Sequence, residues 1–445
     1  MKSVEKTITN YNLIQNDDVI GVACSGGVDS MCLLHFLNSI KNELGCEVVA
    51  VTVDHGIRKE SGKDAEFVVN YCQKNNIKVY KFKGNVIELS KNSGKTIEQA
   101  AREFRYNIFR SLIKDGKVTK IALGHHMMDQ AETILLNIFR GSGLLGAAGM
   151  DYIREGVYIR PLLKTTKFEI IAYINANEIP YIEDATNQSN EYSRNYIRNL
   201  IMPLIRNKWK QADLNICSFG EICKIDDDYI NSQIKSNMIV LENNNTVKIP
   251  VSYFVYEQSL INRIILKAVK EIGILSDIER KHINIIKNFA LQSENGTKIN
   301  LPNKLQALKE YNYITLTNKQ LERSTKTLAF KTGKTDISNF GVIEIKKLKD
   351  YTIGEYTHLI DADKLPKNAV WRKRKNADVF KKFGSGTKSL SNYFTDIKVP
   401  RRLRDSIPVL AVENEILIVA GYEISNFLKV DNETQTAYGI NVIVF

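Results

Sequence analysis

The segment Ser25–Ser30, which reads SGGVDS, constrains the fold more than any other part of the chain. It follows the apolar run Val19–Cys24 and precedes a second apolar run, Met31–Leu37, so the pattern predicts a strand, a tight loop and the start of a helix. Glycine lets a backbone approach a ligand closely, and the amides at a helix N-terminus attract anions. No Gly-Lys-Ser/Thr follows, which excludes a Walker A loop. The segment therefore predicts an anion-binding turn of another kind.

Strand-like and helix-like segments alternate through the first 130 residues. The candidate strands are Val19–Cys24, Glu47–Asp54, Ile77–Lys83 and Lys120–Gly124, and the candidate helices are Ser30–Leu44, Lys63–Asn75 and Thr96–Lys114. Strands separated by helices predict an α/β fold with a parallel, doubly wound sheet. Ligands of such sheets bind beyond the carboxyl ends of the strands, so we expect SGGVDS, Val53–Gly56 and Gly124–His126 to meet there.

A chain of 445 residues is too long for one hydrophobic core, and we expect three domains. Residues 1–210 form the α/β domain, and residues 211–322 form a mostly helical middle domain with short strands near 298–301 and 313–316. Residues 323–445 form a small α+β domain at the C-terminal end.

The excess of positive charge is concentrated near the C-terminal end. The chain has a net charge of +12, and residues 371–404 carry eleven lysines and arginines against two aspartates. Phe380, Phe383, Tyr393 and Phe394 lie among these charges, which favours a nucleic-acid partner over a solvated surface. Gly384, Gly386 and Pro400 interrupt the segment, so an amphipathic membrane-surface helix is not expected.

Other bulk features exclude several classes of protein. No apolar run is long enough to span a bilayer and the first residues do not resemble a signal peptide, so we expect a cytoplasmic protein. The six cysteines form no CxxC pair, which argues against a zinc ribbon or an iron–sulfur cluster.

A second chemical motif, HHMMDQAET, occupies His125–Thr133 just after a predicted strand. On a helix, His125 and Asp129 are four residues apart and Asp129 and Glu132 three apart, so these groups would share one face. Two imidazoles and two carboxylates beside an anion-binding loop suit proton transfer and a divalent cation. The alternative is that these residues only cap the start of a helix and take no part in catalysis or metal binding.

These motifs resemble those of a known family. SGGVDS resembles the PP-loop of the ATP pyrophosphatases, which grip the pyrophosphate of ATP and transfer AMP to an oxygen atom. The whole series resembles the tRNA(Ile)-lysidine synthetases, and its members are SGGVDS, VDHGIR (Val53–Arg58), GHHMMDQAET (Gly124–Thr133), RGSGLLGAAGM (Arg140–Met150), RPLL (Arg160–Leu163), EDATN (Glu183–Asn187), RNYIRN (Arg194–Asn199) and the basic segment Gly386–Leu410. In place of a Gly-Asp-Arg triplet often found before that basic segment, this chain has Lys375–Phe380.

The resemblance implies ATP-dependent attachment of free lysine to carbon 2 of the wobble cytidine in an isoleucine tRNA with a CAU anticodon. ATP and Mg²⁺ are the implied cofactors, and a homodimer is common in the family. Residues 1–210 would then be the catalytic domain, and the middle and C-terminal domains would bind tRNA.

The resemblance also implies roles for individual residues. The catalytic candidates are Asp29, His125, Asp129, Glu132 and Arg198, with Asp29 also holding the metal. The nucleotide candidates are Ser25, Gly26, Gly27, Val28, Asp29, Ser30, Val53 and Arg58. The lysine or tRNA candidates are Arg140, Asp184, Asn187, Arg194, Arg372, Arg374, Lys388, Arg401 and Arg402. Arg140–Met150 is expected to be a mobile flap over the site.

Three other functions are compatible with parts of the pattern. A PP-loop tRNA thiolase uses the same adenylation, but its closest members carry paired CxxC motifs that this chain lacks. GMP or asparagine synthetases would not explain the basic segment. A tRNA-binding protein with a vestigial nucleotide site is the non-catalytic alternative.

Overall fold

The computed structural model describes residues 1–56, 61–183, 193–274, 277–318, 327–337, 340–350, 352, 354–382 and 386–444. The chain divides into two compact units, Met1–Tyr229 and Ile230–Phe445. The three-domain division at residues 210 and 322 stays a prediction. Among the described residues, no helix combines the length and apolar character needed to cross a bilayer.

The first unit is an α/β domain. Its helices are α1 (Lys2–Asn10), α2 (Val28–Ile40), α3 (Ser61–Lys74), α4 (Val86–Ser93), α5 (Ile97–Lys114), α6 (Met127–Phe139), α7 (Leu144–Ala147), α8 (Lys167–Ala176), α9 (Ser193–Tyr196), a π-helical turn (Ile197–Ile201), α10 (Met202–Lys208) and α11 (Ala212–Ser232, which continues past the boundary). Its strands are β1 (Val19–Ala23), β2 (Glu47–Asp54), β3 (Lys78–Lys83), β4 (Lys120–Ala122), β5 (Ile153–Arg154) and β6 (Tyr158–Ile159).

These six strands form one sheet in the order β3-β2-β1-β4-β6-β5, parallel except for β5. Alternate residues of β2 enter different cores: Val48 and Ala50 pack in the core that includes α2 and α8, and Val49 and Val51 pack in the core that includes α5. The predicted doubly wound sheet is thereby confirmed. Because β1 lies between β2 and β4, the chain leaves β1 and β4 in opposite directions, and the crevice at their carboxyl ends is where such folds bind ligands.

The second unit contains three further sheets. Its helices are α12 (Gln258–Glu271), α13 (Arg280–Gln292), α14 (Leu390–Asp396) and α15 (Arg401–Arg404), with 3₁₀ turns at Ser236–Met238, Val251–Val255 and Asn426–Leu428. Its strands are β7 (Val240–Asn243), β8 (Thr246–Pro250), β9 (Lys298–Asn300), β10 (Gln306–Glu310), β11 (Tyr313–Thr317), β12 (Leu328–Ala329), β13 (Gly333–Ile337), β14 (Gly341–Leu348), β15 (His358–Asp361), β16 (Val370–Lys373), β17 (Val379–Lys381), β18 (Thr387–Ser389), β19 (Pro408–Val412), β20 (Glu415–Val419), β21 (Glu423–Ile424) and β22 (Ala437–Val444).

In the middle segment, α12 and α13 share one core with an antiparallel sheet of order β7-β8-β11-β10-β9. The sequence located β9 and β11 of these five strands. After residue 327, a seven-stranded sheet around β16, β19 and β20 and a four-stranded sheet of order β13-β14-β22-β15 share a second core. The fold class is α/β followed by a middle segment with long helices and an α+β C-terminal segment, as expected.

Candidate active site

The SGGVDS segment forms the turn between β1 and α2. Gly26 has φ +89°, a left-handed conformation that glycine adopts at little cost. The Ser30 hydroxyl donates to the Gly27 carbonyl (2.9 Å) and accepts from the Ser25 amide (3.3 Å), which holds the turn closed on itself. Val28 begins the helix and Gly27, its N-cap, has no side chain to cap it, so the first helical amides are presented to an anion.

Asp29, in the first turn of α2, is paired with a lysine that the sequence analysis missed. Lys167 Nζ at the start of α8 lies 2.6 Å from Asp29 Oδ1, and each side chain is about one-third exposed. The loop has no Walker A lysine, and Lys167 supplies a cation beside it instead. No local pattern marks it, because 138 positions separate the two residues.

His126, and not His125, is built into the start of α6. The helix begins at Met127, so the expectation that His125 and Asp129 share a helical face is wrong. His126 is the N-cap: its Nδ1 accepts from the Met128 amide (3.2 Å), and its own amide donates to Asp129 Oδ2 (3.0 Å). Its Nε2 lies 3.7 Å from Asp29 Oδ2 and 3.6 Å from Asp129 Oδ2. The ring therefore bridges the anion-binding turn and the carboxylates of α6.

His125 precedes the helix and has a different environment. Exclusion of water from the ring lowers the pKa of His125 to about 3, so the imidazole is neutral at physiological pH. Within the described part of the chain, its buried Nδ1 has no hydrogen-bond partner. A neutral ring with an unused nitrogen is an acceptor or donor for a ligand.

Four charged side chains form a compact cluster between α6 and the helical segment 193–201. Arg198 donates from Nε to Glu132 Oε1 and from Nη2 to Asp129 Oδ1, both at 2.7 Å. Arg194 donates to Glu132 Oε2 (3.2 Å) and to Asp129 Oδ1 (3.1 Å). The Glu132 side chain is fully buried, whereas those of Arg194 and Arg198 are 36% and 29% exposed. The exposed edges of the two arginines are thus accessible to a ligand, and the buried Glu132 fixes their positions.

Neighbouring charges shift the pKa values of Asp129 and Arg198. Burial by itself raises the pKa of Asp129, but His126 and Arg194 outweigh burial and hold that pKa below its usual value. Burial likewise works against the charge of Arg198, and its bonds to Glu132 and Asp129 raise the pKa of the guanidinium above its usual value. Asp129 therefore remains a carboxylate and Arg198 remains a guanidinium at neutral pH.

Several predicted nucleotide and substrate residues lie apart from this cluster or outside the described residues. Val53 lies near the carboxyl end of β2, two strands away from β4 in the sheet. Arg58, Asp184 and Asn187 lie outside the described residues.

The expected flap is held at several points. Arg140 is exposed at the end of α6. Beyond it, the Gln130 side chain donates to the carbonyls of Ala148 and Met150 and accepts from the Met150 amide (2.8 Å). Asn137 also donates to the Gly146 carbonyl. These bonds join residues 146–150 to α6, and the expectation of a mobile flap stays a prediction.

Two predicted tRNA contacts in the second unit are corrected by the structure. Arg372 is 5% exposed and forms two hydrogen bonds with the buried Asp378, at 2.9 and 2.8 Å. The Arg402 side chain is 9% exposed and pairs with Glu242 and, at 3.0 Å, with Glu310. Both guanidinium groups form ion pairs within the unit and expose little surface to a phosphate.

The remaining basic candidates are more accessible. Arg374 pairs with Asp405, Lys388 pairs with Asp396 at the surface, and Arg401 is exposed. Phe380, Tyr393 and Phe394 are buried in the core of the unit, so their interleaving with charges reflected packing and not stacking on bases. Phe383 lies outside the described residues.

Comparisons with known proteins agree along the whole chain. A family model described as a PP-loop domain matches residues 1–205, and one described as the TilS substrate C-terminal domain matches residues 369–441. The tRNA(Ile)-lysidine synthase of Caldanaerobacter subterraneus is 35% identical, covering 98% of this chain and 96% of the relative. That of Clostridium tetani is 32% identical, covering 99% and 97%. Among solved structures, the U34-tRNA thiolase NcsA from Methanococcus maripaludis is similar with a TM-score of 0.43 and 17% identity, covering 62% of this chain and 89% of that one.

Proposed function

The chain belongs to the tRNA(Ile)-lysidine synthase family, and we propose from that premise how its own residues carry out an ATP-dependent ligation of lysine to the wobble cytidine of a CAU anticodon. One observation carries the assignment of residues. His126 Nε2 lies 3.7 Å from Asp29 and 3.6 Å from Asp129, and this proximity supports one site that includes the anion-binding turn and the charged cluster.

The reaction needs both parts because carbon 2 of cytosine is a poor electrophile. Its carbonyl oxygen first attacks the α-phosphorus of ATP, and the bond from that phosphorus to the bridging oxygen breaks to release pyrophosphate. The lysine ε-nitrogen then forms a bond to carbon 2, the carbon–oxygen bond breaks, AMP leaves with that oxygen, and the nitrogen loses its extra proton. The turn Ser25–Ser30 and Lys167 bind the phosphates, and the cluster orients the nucleophile.

The residues beside the turn fit a magnesium ion that arrives with ATP. Mg²⁺ in such sites is held by one or two carboxylates together with substrate phosphates. Asp29 is the accessible carboxylate at the turn, and the described residues contain no group of three ligands that would hold a metal by themselves. Asp29 would therefore hold the ion, which would neutralise phosphate charge.

The charge pattern of the cluster suits free lysine, which carries a carboxylate and two ammonium groups. The exposed edges of Arg194 and Arg198 are donors for a carboxylate, and Asp129, which stays ionised, is an acceptor for an ammonium group. The attacking amine has an ordinary pKa of about 10.4, so presenting its neutral form at pH 7 costs about 4–5 kcal/mol. His125, neutral with an unused Nδ1, is an acceptor for an amine N–H.

A thiolase activity is disfavoured by the environment of the cysteines. A thiolate is the form that binds iron or carries sulfur. Burial raises the pKa of Cys32 and Cys217 to about 12 and that of Cys72 to about 11, and it also raises those of Cys24, Cys46 and Cys223. In the protein without a bound metal these thiols are therefore protonated at neutral pH, and the six cysteines include no CxxC pair to hold a cluster.

The decisive experiment supplies ATP, a CAU-anticodon isoleucine tRNA and one amino acid at a time, and measures AMP release. We expect stimulation by lysine alone. Asp129→Ala should abolish lysine-dependent AMP release while tRNA affinity stays near that of the wild type, because Asp129 acts on the small substrate. Release without lysine dependence would reject the ligase assignment, and wild-type turnover in Asp129→Ala would reject the role of the cluster.

A further inference from the structure

A cavity of about 380 Å³ lies between the end of α6 and the helical segment 193–201. Leu136, Phe139 and Arg140 line it from α6, and Tyr196 and Ile197 line it from the segment. Its walls are thus mainly apolar or aromatic, with one arginine. None of the residues that line it carries a negative charge, so the cavity does not repel a polyanion.

The aromatic walls of the cavity are exposed. Phe139 is 64% exposed and Tyr196 is 49% exposed, although both are large side chains with much apolar surface. Arg140 is exposed beside them and forms no salt bridge with the residues that the structure describes. Exposed aromatic rings with an arginine are the side chains on which proteins stack the unpaired bases of single-stranded RNA.

The cavity is adjacent to the charged cluster because the same two elements build both. Glu132 of the cluster and Leu136 of the cavity are one turn apart on α6, and Arg140 is a further turn away. At 1.5 Å per residue these separations are about 6 and 12 Å along the helix axis. On the other side, Arg194 and Arg198 flank Tyr196 in sequence. A nucleotide bonded to one that reacts at the cluster is therefore within reach of the cavity.

We propose that this cavity binds the adenine directly 3′ of the wobble cytidine, stacked on Tyr196 and Phe139. The proposal rests on the function given above, since it takes the CAU anticodon as the substrate. Adenine is a purine, and its face is larger for stacking than that of the uracil on the 5′ side of the cytidine. Its ring nitrogens also accept hydrogen bonds from Arg140.

Holding that neighbour has a consequence for the reaction. A base stacked in the cavity cannot stack on the cytidine, so the cytidine stays extended toward the charged cluster. The cavity then selects tRNAs by the middle anticodon base, and it does not separate an isoleucine tRNA from a methionine tRNA with the same anticodon.

The test places 2-aminopurine at that adenine in full-length tRNA and follows its fluorescence as the complete protein is added without ATP. The variants are Tyr196→Ala and Phe139→Ala, with Tyr196→Phe to retain the ring. Phe219→Ala is the matched control, because Phe219 of α11 is a 48% exposed phenylalanine of the first unit that does not line the cavity. We expect the fluorescence change to be lost in both cavity alanine variants with about a tenfold weaker affinity. Tyr196→Phe and Phe219→Ala should behave as the wild type.

A second tRNA carries 2-aminopurine in place of the uracil 5′ of the cytidine. Its response should be the same for wild type and Tyr196→Ala, and loss of the response only at this position would overturn the proposal. Unchanged fluorescence and affinity in the alanine variants would also overturn it. Lysine-dependent AMP release by the wild type, measured in parallel, tests the underlying function separately, because it can succeed while the cavity assignment fails.

Discussion

Arg198 lies with its Nε and Nη2 each 2.7 Å from an oxygen of Glu132, a carboxylate with no exposed surface. The same Nη2 is 2.7 Å from Asp129, whose side chain is 13% exposed. One guanidinium therefore joins a buried anchor to a carboxylate at the ligand-facing side. This arrangement fixes the position of Asp129 and Arg198 before any substrate binds, which is what a site for orienting a nucleophile requires.

Replacing Glu132 with glutamine should damage both stability and lysine use. The substitution keeps the shape but leaves two guanidinium groups facing one carboxylate. Loss of one partner from a buried ion pair costs 3–5 kcal/mol, and the partial exposure of the arginines reduces the expected loss to about 2–3 kcal/mol. Denaturant unfolding measures this loss, and AMP release should show a KM for lysine raised at least tenfold.

Asp213→Asn provides the matched control for Glu132→Gln. Arg206 makes two hydrogen bonds to Asp213, at 2.7 and 2.8 Å, in the same unit but outside the cluster. Loss of the Arg206–Asp213 ion pair should lower stability modestly and leave the KM for lysine unchanged. Equal effects of the two variants on that KM would contradict the role given to Glu132.

Lys167→Met should raise the KM for ATP by about tenfold or more, since a hydrogen bond to a charged group contributes about 1.5–3 kcal/mol. Lys167→Arg should retain most of the affinity. Lys164→Met is the control, because Lys164 forms a comparably exposed ion pair with Glu221 at 2.7 Å. If Lys167 serves only to neutralise Asp29, the methionine variant will keep a wild-type KM for ATP, and steady-state kinetics will show it.

His125 should make the first unit less stable in acid. The pKa of His125 is about 3 in the folded chain and about 6.5 when unfolded, so between these values the unfolded chain binds the extra proton. Stability is therefore unaffected above pH 6.5 and falls as pH drops from 6.5 toward 3. His125→Asn should reduce this slope by up to about 1.4 kcal/mol per pH unit.

Denaturant unfolding from pH 7 to pH 4 measures that slope. His358, in the second unit, is the comparison: burial lowers its pKa to about 4, and its Nε2 accepts a hydrogen bond from the Gly421 amide at 3.0 Å. His358→Asn should reduce the pH dependence of the stability of the second unit and leave that of the first unit unchanged. A slope unchanged in His125→Asn would show that the ring is not held neutral.

Local patterns in the sequence were enough to predict the scaffold around this site. The strand Glu47–Asp54 has the predicted bounds, and α5 begins one residue after the predicted Thr96 because Thr96 and Gln99 form a capping box there. Such features depend on neighbours in the chain. The carboxyl ends of β1 and β4 were located in the same way.

The misses depend on contacts that form only in the folded chain and that residue spacing alone does not reveal. Lys167 reaches Asp29 only because α8 packs beside α2 in the fold. The start of α6 at Met127 excludes His125 from the helical face, since His126 caps the helix in its place. The sequence pattern predicted an unpaired Arg372, because its partner Asp378 faces it only once β16 and the following turn have formed. A composition count does not distinguish such an internal pair from a surface arginine.

The two neighbouring arginines Arg401 and Arg402 of α15 allow an exposed and a paired guanidinium to be compared in tRNA binding. Arg401 is exposed, whereas Arg402 pairs with Glu242 and Glu310 within the unit. If Arg401 neutralises a phosphate, Arg401→Gln should weaken tRNA binding and reduce the slope of log affinity against log salt by about 0.7–0.9. Arg402→Gln should leave that slope unchanged and instead lower the stability of the second unit by about 2–3 kcal/mol, because Glu310 loses its cation in a buried setting.

Filter-binding titrations at several salt concentrations, with denaturant unfolding of the same preparations, separate the two effects. A reduced slope in Arg402→Gln with wild-type stability would place that guanidinium on the RNA and reverse the correction.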